Sequence, residues 1–317
     1  MTASDPQAPI LVAYSPSKSG RAPVEFGIAA SNVTGAPLTI LTIRHGGPMA
    51  DRYAGEMDDS GGEDALAIKH LRLDLQRRSI AADMVERTSR TTAGGMKEAI
   101  DEFRPAMIVL GASERGALGA AVLGSTIEHV VHEAVCPVAV VPHDYARPEA
   151  GVQLVGAAYM PTDEGREALR IAAGLARNGG VKLRALAVLD PKLADQQGGG
   201  MMSEQHRDVD PAQAGRFQSG IAEQEGLKEA LADVAQGVDA EMNVLYNDPA
   251  DGLIAASRHV DLLVVGSRAR GPRRAAVFGS VSRKVAEAAA CPVIILPRGT
   301  ASSSDDLVSQ VQEVRPS

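Results

Sequence analysis

One stretch of this sequence occurs twice, and its two copies constrain the fold more than any other feature. Met107–Pro142 contains a short apolar run, a glycine-rich loop, an amphipathic segment and a second apolar run, and Leu262–Pro297 has the same layout. The residues that recur 155 positions later are Gly111, Arg115, Gly116, Gly124, Ser125, Cys136, Pro137 and Pro142, matched by Gly266, Arg270, Gly271, Gly279, Ser280, Cys291, Pro292 and Pro297. A repeat at a fixed separation predicts that the protein consists of two copies of one structural unit.

The length agrees with two units. At 317 residues, a prior of about 150 residues per domain gives two domains, each long enough to bury its own core. We expect domain 1 to span residues 1–145, domain 2 to span residues 150–299 and the polar residues 300–317 to form a flexible tail.

Composition and charge exclude several classes of protein. Hydrophobic residues make up 44% of the chain and charged residues 23%, as in ordinary globular proteins. Aromatic residues make up only 3%, with no Trp, so platforms for stacking bases are scarce. The net charge of −8 also argues against a basic surface for nucleic acid. We therefore expect no nucleic-acid partner.

The sequence gives no sign of secretion or membrane insertion. Its first residues lack the basic and apolar regions of a signal peptide, and no apolar run approaches the ~18 residues that a membrane span needs. We expect a cytoplasmic protein without a membrane partner. Two cysteines at equivalent places, Cys136 and Cys291, make neither a disulfide framework nor a metal site, and we predict that both are buried small hydrophobic residues.

Short apolar runs alternate with helical patterns along the first copy. The predicted elements are a strand at Ile10–Tyr14, a helix at Gly20–Val33, a strand at Leu38–Ile43, a helix at Asp64–Arg78, a strand at Ala82–Arg87, a helix at Ala93–Phe103, a strand at Ala106–Leu110, a helix opening at Gly124-Ser125 and a strand at Pro137–Val141. This alternation predicts an α/β fold with a parallel sheet covered by helices on both faces. Ser125 followed by Glu128 fits a capping box at the start of the last helix.

The second copy repeats the cycle with an insertion. Its predicted elements include a helix at Ala212–Ala235, a strand at Val238–Leu245, a helix at Ala250–Arg258, a strand at Asp261–Val265, a helix from Ser280 and a strand at Pro292–Leu296. The separation of matched residues grows from 145 to 155 along the copy, so it carries 10 extra residues. We place them in Asp190–Pro211.

The glycine loop after the fourth strand is the candidate binding element. Parallel sheets bind ligands beyond the carboxyl ends of their strands, and this loop lies at that edge. Its glycines allow close approach of the backbone, and the helix that follows presents free N–H groups to an anion. The alternative is a tight strand-to-helix connection without a ligand. The Walker A motif is excluded because Gly116 and Gly271 are not followed by Lys-Ser/Thr, and no G-x-G-x-x-G follows either first strand.

The motif formed by a strand, G-x-x-G-x(9)-G-[ST], a helix and a C-P-V strand resembles the universal stress protein family, and the resemblance covers essentially the whole chain, twice. It implies two repeated flavodoxin-like (adenine nucleotide alpha hydrolase-like) domains, each with a five-stranded parallel sheet of order 3-2-1-4-5 flanked by helices. Many members bind ATP. Family domains often pair through the fifth strand, which implies an internal pseudo-dimer of the two halves here, leaves a homodimer open and leaves protein partners unknown.

The two loops depart from the family pattern in different ways. Ser15 and Met160 stand where ATP-binding members usually carry an Asp after the first strand. The second loop glycine is Glu114 in the first copy, where its charge opposes phosphate, and Ala269 in the second. The second loop also carries four arginines, Arg268, Arg270, Arg273 and Arg274. They suit an anion, and the alternative is that they form a solvated, charged loop without a ligand.

The resemblance therefore implies an adenine nucleotide, ATP with or without Mg²⁺, bound more readily in domain 2 than in domain 1. The predicted binding residues are Gly266, Arg268, Arg270, Gly279 and Ser280 in domain 2, with Gly111, Gly124 and Ser125 in domain 1. The alternative is a stress-response scaffold that kept the fold, lost the ligand and acts through protein–protein contacts.

We expect neither a catalytic residue nor a metal site. No nucleophile stands in a recognisable relation to a base, and no carboxylate pair has an assignable substrate. His129 and His132 have the i, i+3 spacing of metal ligands, with Glu133 next to them, but no third ligand is evident, which favours an ordinary surface helix. We therefore expect a protein that is not an enzyme, with incidental ATP hydrolysis left open.

Overall fold

The computed structural model describes residues 7–16, 20–46, 60–112, 123–191, 211–267, 279–297 and 307–308. In the first half the elements are β1 Ile10–Ala13, α1 Ala22–Thr34, β2 Leu38–His45, α2 Ser60–Arg77, β3 Asp83–Ser89, α3 Thr92–Phe103, β4 Met107–Gly111, α4 Ser125–Glu133 and β5 Val138–Val141. In the second half they are β6 Leu154–Tyr159, α5 Asp163–Gly179, β7 Lys182–Leu189, α6 Pro211–Val234, β8 Ala240–Tyr246, α7 Pro249–Ala256, a 3-10 turn Ser257–His259, β9 Leu262–Gly266, α8 Ser280–Ala288 and β10 Val293–Leu296.

The strands form one ten-stranded sheet in the order β3-β2-β1-β4-β5-β10-β9-β6-β7-β8. Within each half all neighbouring strands are parallel, and the order is 3-2-1-4-5 counted from that half's own first strand. The fold predicted from the alternating pattern and from the family resemblance, two flavodoxin-like α/β domains, is therefore confirmed. The central strands are apolar because both faces are covered by helices. β4, for example, has four consecutive buried residues, Met107–Leu110.

The two halves join through their fifth strands. β5 and β10 are antiparallel, with Val140 opposite Val293, Ala139 opposite Ile294 and Val138 opposite Ile295. Ala139 and Ile294 occupy the same position in the two repeats, 155 residues apart. A pseudo-twofold axis therefore passes between them, and the pairing has the geometry of a symmetric dimer made within one chain.

Two apolar layers cover the sheet, one on each face. The first includes α1 and α5, which pack against each other across the junction of the two halves. The second includes the inward faces of α4 and α8, such as Val130 and Val285. Cys136 and Cys291 lie in this second layer, and burial raises the pKa of each thiol to about 12. The prediction that both are buried is confirmed.

The predicted capping box at α4 is wrong. The residue that caps the helix is Gly124, and Ser125 is already the first helical residue, so its hydroxyl caps nothing. The Glu128 side chain does not accept from the N–H of the capping residue. Its carboxylate accepts from the guanidinium of Arg283 in the other half. A long-range ion pair has replaced the local bond that the sequence spacing favoured.

A polar network ties the first half to the segment that leads into β6. The guanidinium of Arg78 donates to both carboxylate oxygens of Glu25, at 2.6 and 2.9 Å, and to Asp74 at 3.2 Å. Arg147, in the segment between β5 and β6, lies 3.5 Å from Glu25. Hydrogen bonding from Arg78 is the main reason why the pKa of Glu25 is lowered, and burial opposes it.

The additional residues of the second half lie between β7 and β8. There α6 has 24 residues against 18 in α2, its counterpart in the first half. Most of Asp190–Pro211, where we placed the insertion, lies outside the described residues. Of the predicted tail, only Leu307 and Val308 are described. Leu307 is fully buried, and the Val308 carbonyl accepts from the Asn178 side chain at 2.9 Å.

In the described part of the chain, no helix is long and apolar enough to cross a membrane.

Candidate functional site

Each half has one place where the order of the strands reverses. In the first half it lies between the carboxyl ends of β1 and β4, which are neighbours in the sheet. In the second half it lies between β6 and β9. Chain connections leave these two strands in opposite directions, so a crevice opens beyond their ends, and this is where open parallel sheets bind ligands.

The predicted binding residues in the described regions all lie at this edge. Gly111 and Gly266 are the last residues of β4 and β9. Gly124 and Gly279 cap α4 and α8, whose first helical residues are Ser125 and Ser280. In each half, the glycine that ends the fourth strand and the start of the helix that follows it therefore lie at the carboxyl edge of the sheet. The loop residues Glu114, Arg115, Arg268, Ala269, Arg270, Arg273 and Arg274 lie outside the described residues.

Gly266 has a packing reason to be glycine. A Cβ atom there would lie 2.7 Å from the backbone carbonyl oxygen of Glu164 and 3.1 Å from its Cβ. Glu164 is in the first turn of α5, so β9 and the start of α5 are in direct contact. This close approach explains the glycine without a ligand.

The two helix starts differ in charge. The first turn of α4 contains Glu128, whereas the first turn of α8 contains no acidic residue. The amino end of a helix carries a partial positive charge and unpaired N–H groups, which an acidic side chain partly neutralises. The residue that caps each helix is a glycine, Gly124 or Gly279, which has no side chain to accept from these groups. The start of α8 is therefore the more favourable of the two for an anion.

The second half also has hydroxyl groups where the first has alkyl groups. Ser267 follows β9 at the position that Ala112 holds after β4, and Ser282 in α8 matches Ile127 in α4. Both serines are buried, at 2% and 3% exposed. The hydroxyl of Ser282 donates to the Gly279 carbonyl at 3.1 Å, whereas the Ser267 hydroxyl has no hydrogen-bond partner among the described residues. Sequence reasoning missed these serines, although a comparison of the two copies at non-identical positions could have found them.

The other side of the crevice in the second half is formed by the turn after β6. Tyr159 ends β6, and its hydroxyl donates to the Gly226 carbonyl in α6 at 3.1 Å. Met160 follows, partly exposed, where an aspartate was expected for an ATP binder. Thr162 then caps α5 by accepting from the Gly165 N–H at 3.3 Å. The turn is thus fixed by a helix cap at Thr162, but Met160 places no carboxylate in it.

The matching turn of the first half is flanked by charged groups. Tyr14, equivalent to Tyr159, is buried. Burial is the main reason why its pKa is raised. Arg21 lowers this pKa and Asp64 raises it. Arg21 itself forms an ion pair with Asp74 in α2. The Arg21 guanidinium, which acts on Tyr14, is thus already engaged by a carboxylate.

The described residues contain no group of three or more His, Cys, Asp and Glu side chains that could hold a metal ion. His129 lies 3.6 Å from Glu133 on the exposed side of α4.

A surface groove of about 400 Å³ lies elsewhere, on the outer part of the second half. Side chains of β7, β8, the end of α7 and the 3-10 turn after it line the groove, among them Arg184, Glu241 and His259. The Arg184 guanidinium donates to the His259 carbonyl at 2.8 Å and also to Glu241. Its charge is therefore satisfied within the protein, and the groove is separate from the crevice beyond β6 and β9.

The strand order, the reversal points and the paired helix starts define a tandem flavodoxin-like protein with one crevice per domain. The universal stress protein family model matches residues 8–142 and again residues 154–297. The chain therefore belongs to the universal stress protein family, with two family domains in tandem.

Curated relatives carry the same family name. One, a universal stress protein of Mycobacterium tuberculosis, is 33% identical over 192 residues, which span 60% of this chain and 61% of the relative. Another from the same species is 24% identical over 301 residues, covering 91% of this chain and 99% of the relative. The stronger match thus spans less than two thirds of either protein.

A solved structure shares the complete tandem fold. A universal stress protein from Archaeoglobus fulgidus superposes with a TM-score of 0.64 at 18% identity, covering 92% of this chain and 98% of that protein. A second structure, from Pseudomonas aeruginosa and described as functionally unknown, gives a TM-score of 0.65 at 14% identity, covering 96% of this chain. At these identities the likeness concerns the fold.

Proposed function

We propose that this protein is a stress-response protein that binds an adenine nucleotide in domain 2, in the crevice beyond β6 and β9. The observation that carries the proposal is the start of α8, which presents free N–H groups at the carboxyl edge of the sheet and has no acidic residue in its first turn. Such a helix start favours phosphate through hydrogen bonding and the helix dipole together. Its counterpart α4 carries Glu128 at the same place.

The sequence of the connecting loop supports the same choice of domain. Arg268 and Arg270 follow β9, whereas Glu114 lies in the loop after β4. Guanidinium groups bind phosphate oxygens strongly because the hydrogen bonds are charge-assisted, and a carboxylate repels them. We propose ATP, with or without Mg²⁺, as the nucleotide, and binding without a dedicated catalytic reaction.

Direct binding measurements test this function. Purified protein is denatured, and the released small molecules are separated by chromatography to detect bound nucleotide. ATP is then titrated into nucleotide-free protein by calorimetry, with and without Mg²⁺. We expect ATP to be released or to bind with one site per chain. Neither nucleotide nor binding heat at millimolar ATP would overturn the proposal.

Matched arginine variants assign the domain. Arg270 and Arg115 occupy the same position in the two repeats. We expect Arg270→Ala to weaken ATP binding about tenfold, since it removes a charged hydrogen-bond donor. Arg115→Ala should leave the affinity unchanged. Equal effects of the two substitutions, or none from Arg270→Ala, would remove the site from the domain 2 loop.

Met160 favours one alternative function, a scaffold that kept the fold without the nucleotide. This residue stands beside the crevice of domain 2 and offers a thioether where a carboxylate could bind a ribose hydroxyl. The scaffold would act through protein–protein contacts, including association into a homodimer. The ATP titration separates the two functions, because a scaffold gives no saturable heat.

A further inference from the structure

A buried hydroxyl group lies at the carboxyl edge of domain 2, just beyond β9. Ser267 is 2% exposed, and its Oγ atom forms no hydrogen bond with any residue that the structure describes. Leaving a buried hydroxyl without a hydrogen-bond partner destabilises a protein, so proteins rarely keep one without a reason. Its counterpart in domain 1, Ala112, is also buried and carries no polar side-chain atom.

The position of Ser267 follows from the strand that precedes it. Its N–H donates to the Leu296 carbonyl at 3.2 Å, so the backbone continues the sheet pairing just beyond β9. Side chains alternate along a strand, which puts Ser267 on the same face of the sheet as Leu263 and Val265. These two residues pack in the layer that contains Val285 of α8.

The amino end of α8 lies at the same edge and on the same face. α8 connects β9 to β10, two parallel neighbours, so it must begin near the carboxyl end of β9, where Ser267 is. The Ser267 hydroxyl and the first N–H groups of α8 therefore face one region. All of these groups are hydrogen-bond donors, and the first turn of α8 contains no carboxylate to accept from them.

We propose that the Ser267 hydroxyl is a phosphate ligand, which donates to a non-bridging phosphate oxygen of the nucleotide held at the start of α8. This inference rests on the proposed nucleotide site and adds a specific residue to it. It adds to the charge at the helix start as a reason for the preference for domain 2, because the same position in domain 1, Ala112, offers only a methyl group.

The test uses the full-length protein and four titrations. ATP and inorganic tripolyphosphate are each titrated into wild type and Ser267→Ala. We expect the substitution to weaken both ligands about tenfold, because one hydrogen bond to a charged oxygen is lost. The same substitution should leave the melting temperature of the ligand-free protein unchanged or raise it, because it removes a buried hydroxyl that pairs with no described residue.

The opposite pattern overturns the inference. If Ser267→Ala binds both ligands as wild type does, the hydroxyl is no ligand, although the nucleotide site itself stands. A variant that is less stable without ligand yet unchanged in affinity identifies Ser267 as a structural residue. If wild type binds neither ATP nor tripolyphosphate, the nucleotide site and the role of Ser267 fail together. If only ATP binding is weakened by Ser267→Ala, the hydroxyl contacts the nucleoside and not the phosphates.

Ala112→Ser provides the matched control. It places the same hydroxyl at the equivalent position of domain 1, where Glu128 occupies the first helical turn. We expect no gain in the affinity or in the number of ATP molecules bound. A second ATP site in this variant would show that the hydroxyl alone determines which domain binds ATP and that Glu128 does not prevent binding in domain 1.

Discussion

Glu128 and Arg283 occupy the same position in the two repeats and form an ion pair with each other. Residues related by a pseudo-twofold axis can touch only when they lie close to it, and the β5–β10 pairing puts the axis between Ala139 and Ile294. In a symmetric pair of identical domains this position would set Glu against Glu or Arg against Arg. The charges therefore favour pairing domain 1 with domain 2 over pairing either domain with itself.

Reversing the charge of one residue of this pair should be destabilising, and reversing both should restore most of the lost stability. Glu128→Arg and Arg283→Glu each place like charges together, and we expect each to lower the free energy of unfolding by up to about 1 kcal/mol. The effect is modest because the two side chains are 39% and 46% exposed. The double variant should recover most of the loss. Urea unfolding at low salt measures all four proteins.

The same series at about 1 M salt is the control, since screening should reduce the differences between the variants. Arg283 also contacts Glu287 at 3.1 Å, so Arg283→Glu is expected to cost more than Glu128→Arg. A double variant that is as unstable as the worse single variant would contradict the proposed role of the pair.

The ion pair between Glu25 and Arg78 should make stability depend on pH in the acidic range. Arg78 binds both carboxylate oxygens and holds the pKa of Glu25 below its ordinary value of 4.5. A carboxyl group whose pKa is lower in the folded state stabilises the protein above its unfolded pKa, and this contribution is lost as pH falls towards the folded value. The loss should therefore begin near pH 4.5 and continue below it.

Glu25→Gln isolates this contribution. We expect it to reduce the free energy of unfolding by about 1–2 kcal/mol at pH 7, because a charge-assisted pair is lost, and by progressively less below pH 4.5. Urea unfolding between pH 3 and pH 7 gives the difference at each pH. Glu98→Gln, at an exposed position of α3, serves as the control. A difference that stays constant down to pH 3 would exclude the proposed linkage.

Both thiols should be unreactive in the folded protein. Cys136 and Cys291 are 1% and 5% exposed, and burial raises the pKa of each to about 12, so very little thiolate is present at pH 8. Thiolate is the reactive form. We expect no labelling by iodoacetamide over hours in native buffer and labelling of both residues in urea, measured by mass spectrometry. Labelling of one cysteine in native buffer would show that its half opens locally.

Two glycines should tolerate a methyl group very differently. Gly266→Ala brings a Cβ within 2.7 Å of the Glu164 carbonyl oxygen, and backbone cannot move aside as a flexible side chain can. We expect a loss of about 1–3 kcal/mol in the free energy of unfolding without any ligand present. Gly226→Ala, inside α6, meets only the Tyr159 hydroxyl at 3.7 Å and should stabilise by about 0.5–1 kcal/mol.

Thermal unfolding of the two ligand-free variants distinguishes packing from ligand binding at Gly266. If Gly266→Ala is as stable as wild type and only loses ATP affinity, the glycine serves the ligand and not the contact with α5.

Much of this fold could be predicted from the sequence because strands and helices are short-range patterns. The runs at Leu38 and Met107 are buried strands as expected, and the observed bounds differ from the predicted ones by a few residues. The repeat also predicted two units of one kind, since residues such as Cys136 and Cys291 recur at one separation. The capping box at Ser125 failed because local spacing cannot show that Glu128 has a partner 155 residues away.

The candidate site was predicted only in part. Gly266, Gly279 and Ser280 lie together at one edge because the topology of a parallel α/β unit brings strand ends and helix starts there. The packing role of Gly266 depends on α5, which is remote in sequence. The isolation of the Ser267 hydroxyl is invisible in the sequence, since serine is usually exposed or hydrogen-bonded.

The sequence by itself determined the architecture of this protein: two α/β units, each with buried parallel strands and a glycine loop at the carboxyl edge of its sheet. These features follow from periodicity and repetition, which can be read along the chain. Only the tertiary structure decided how the two units differ. The register between β5 and β10 sets Glu128 beside Arg283, and packing beyond β9 buries Ser267, whose hydroxyl has no hydrogen-bond partner among the described residues. Such properties depend on which distant groups meet, and only the folded chain brings them together.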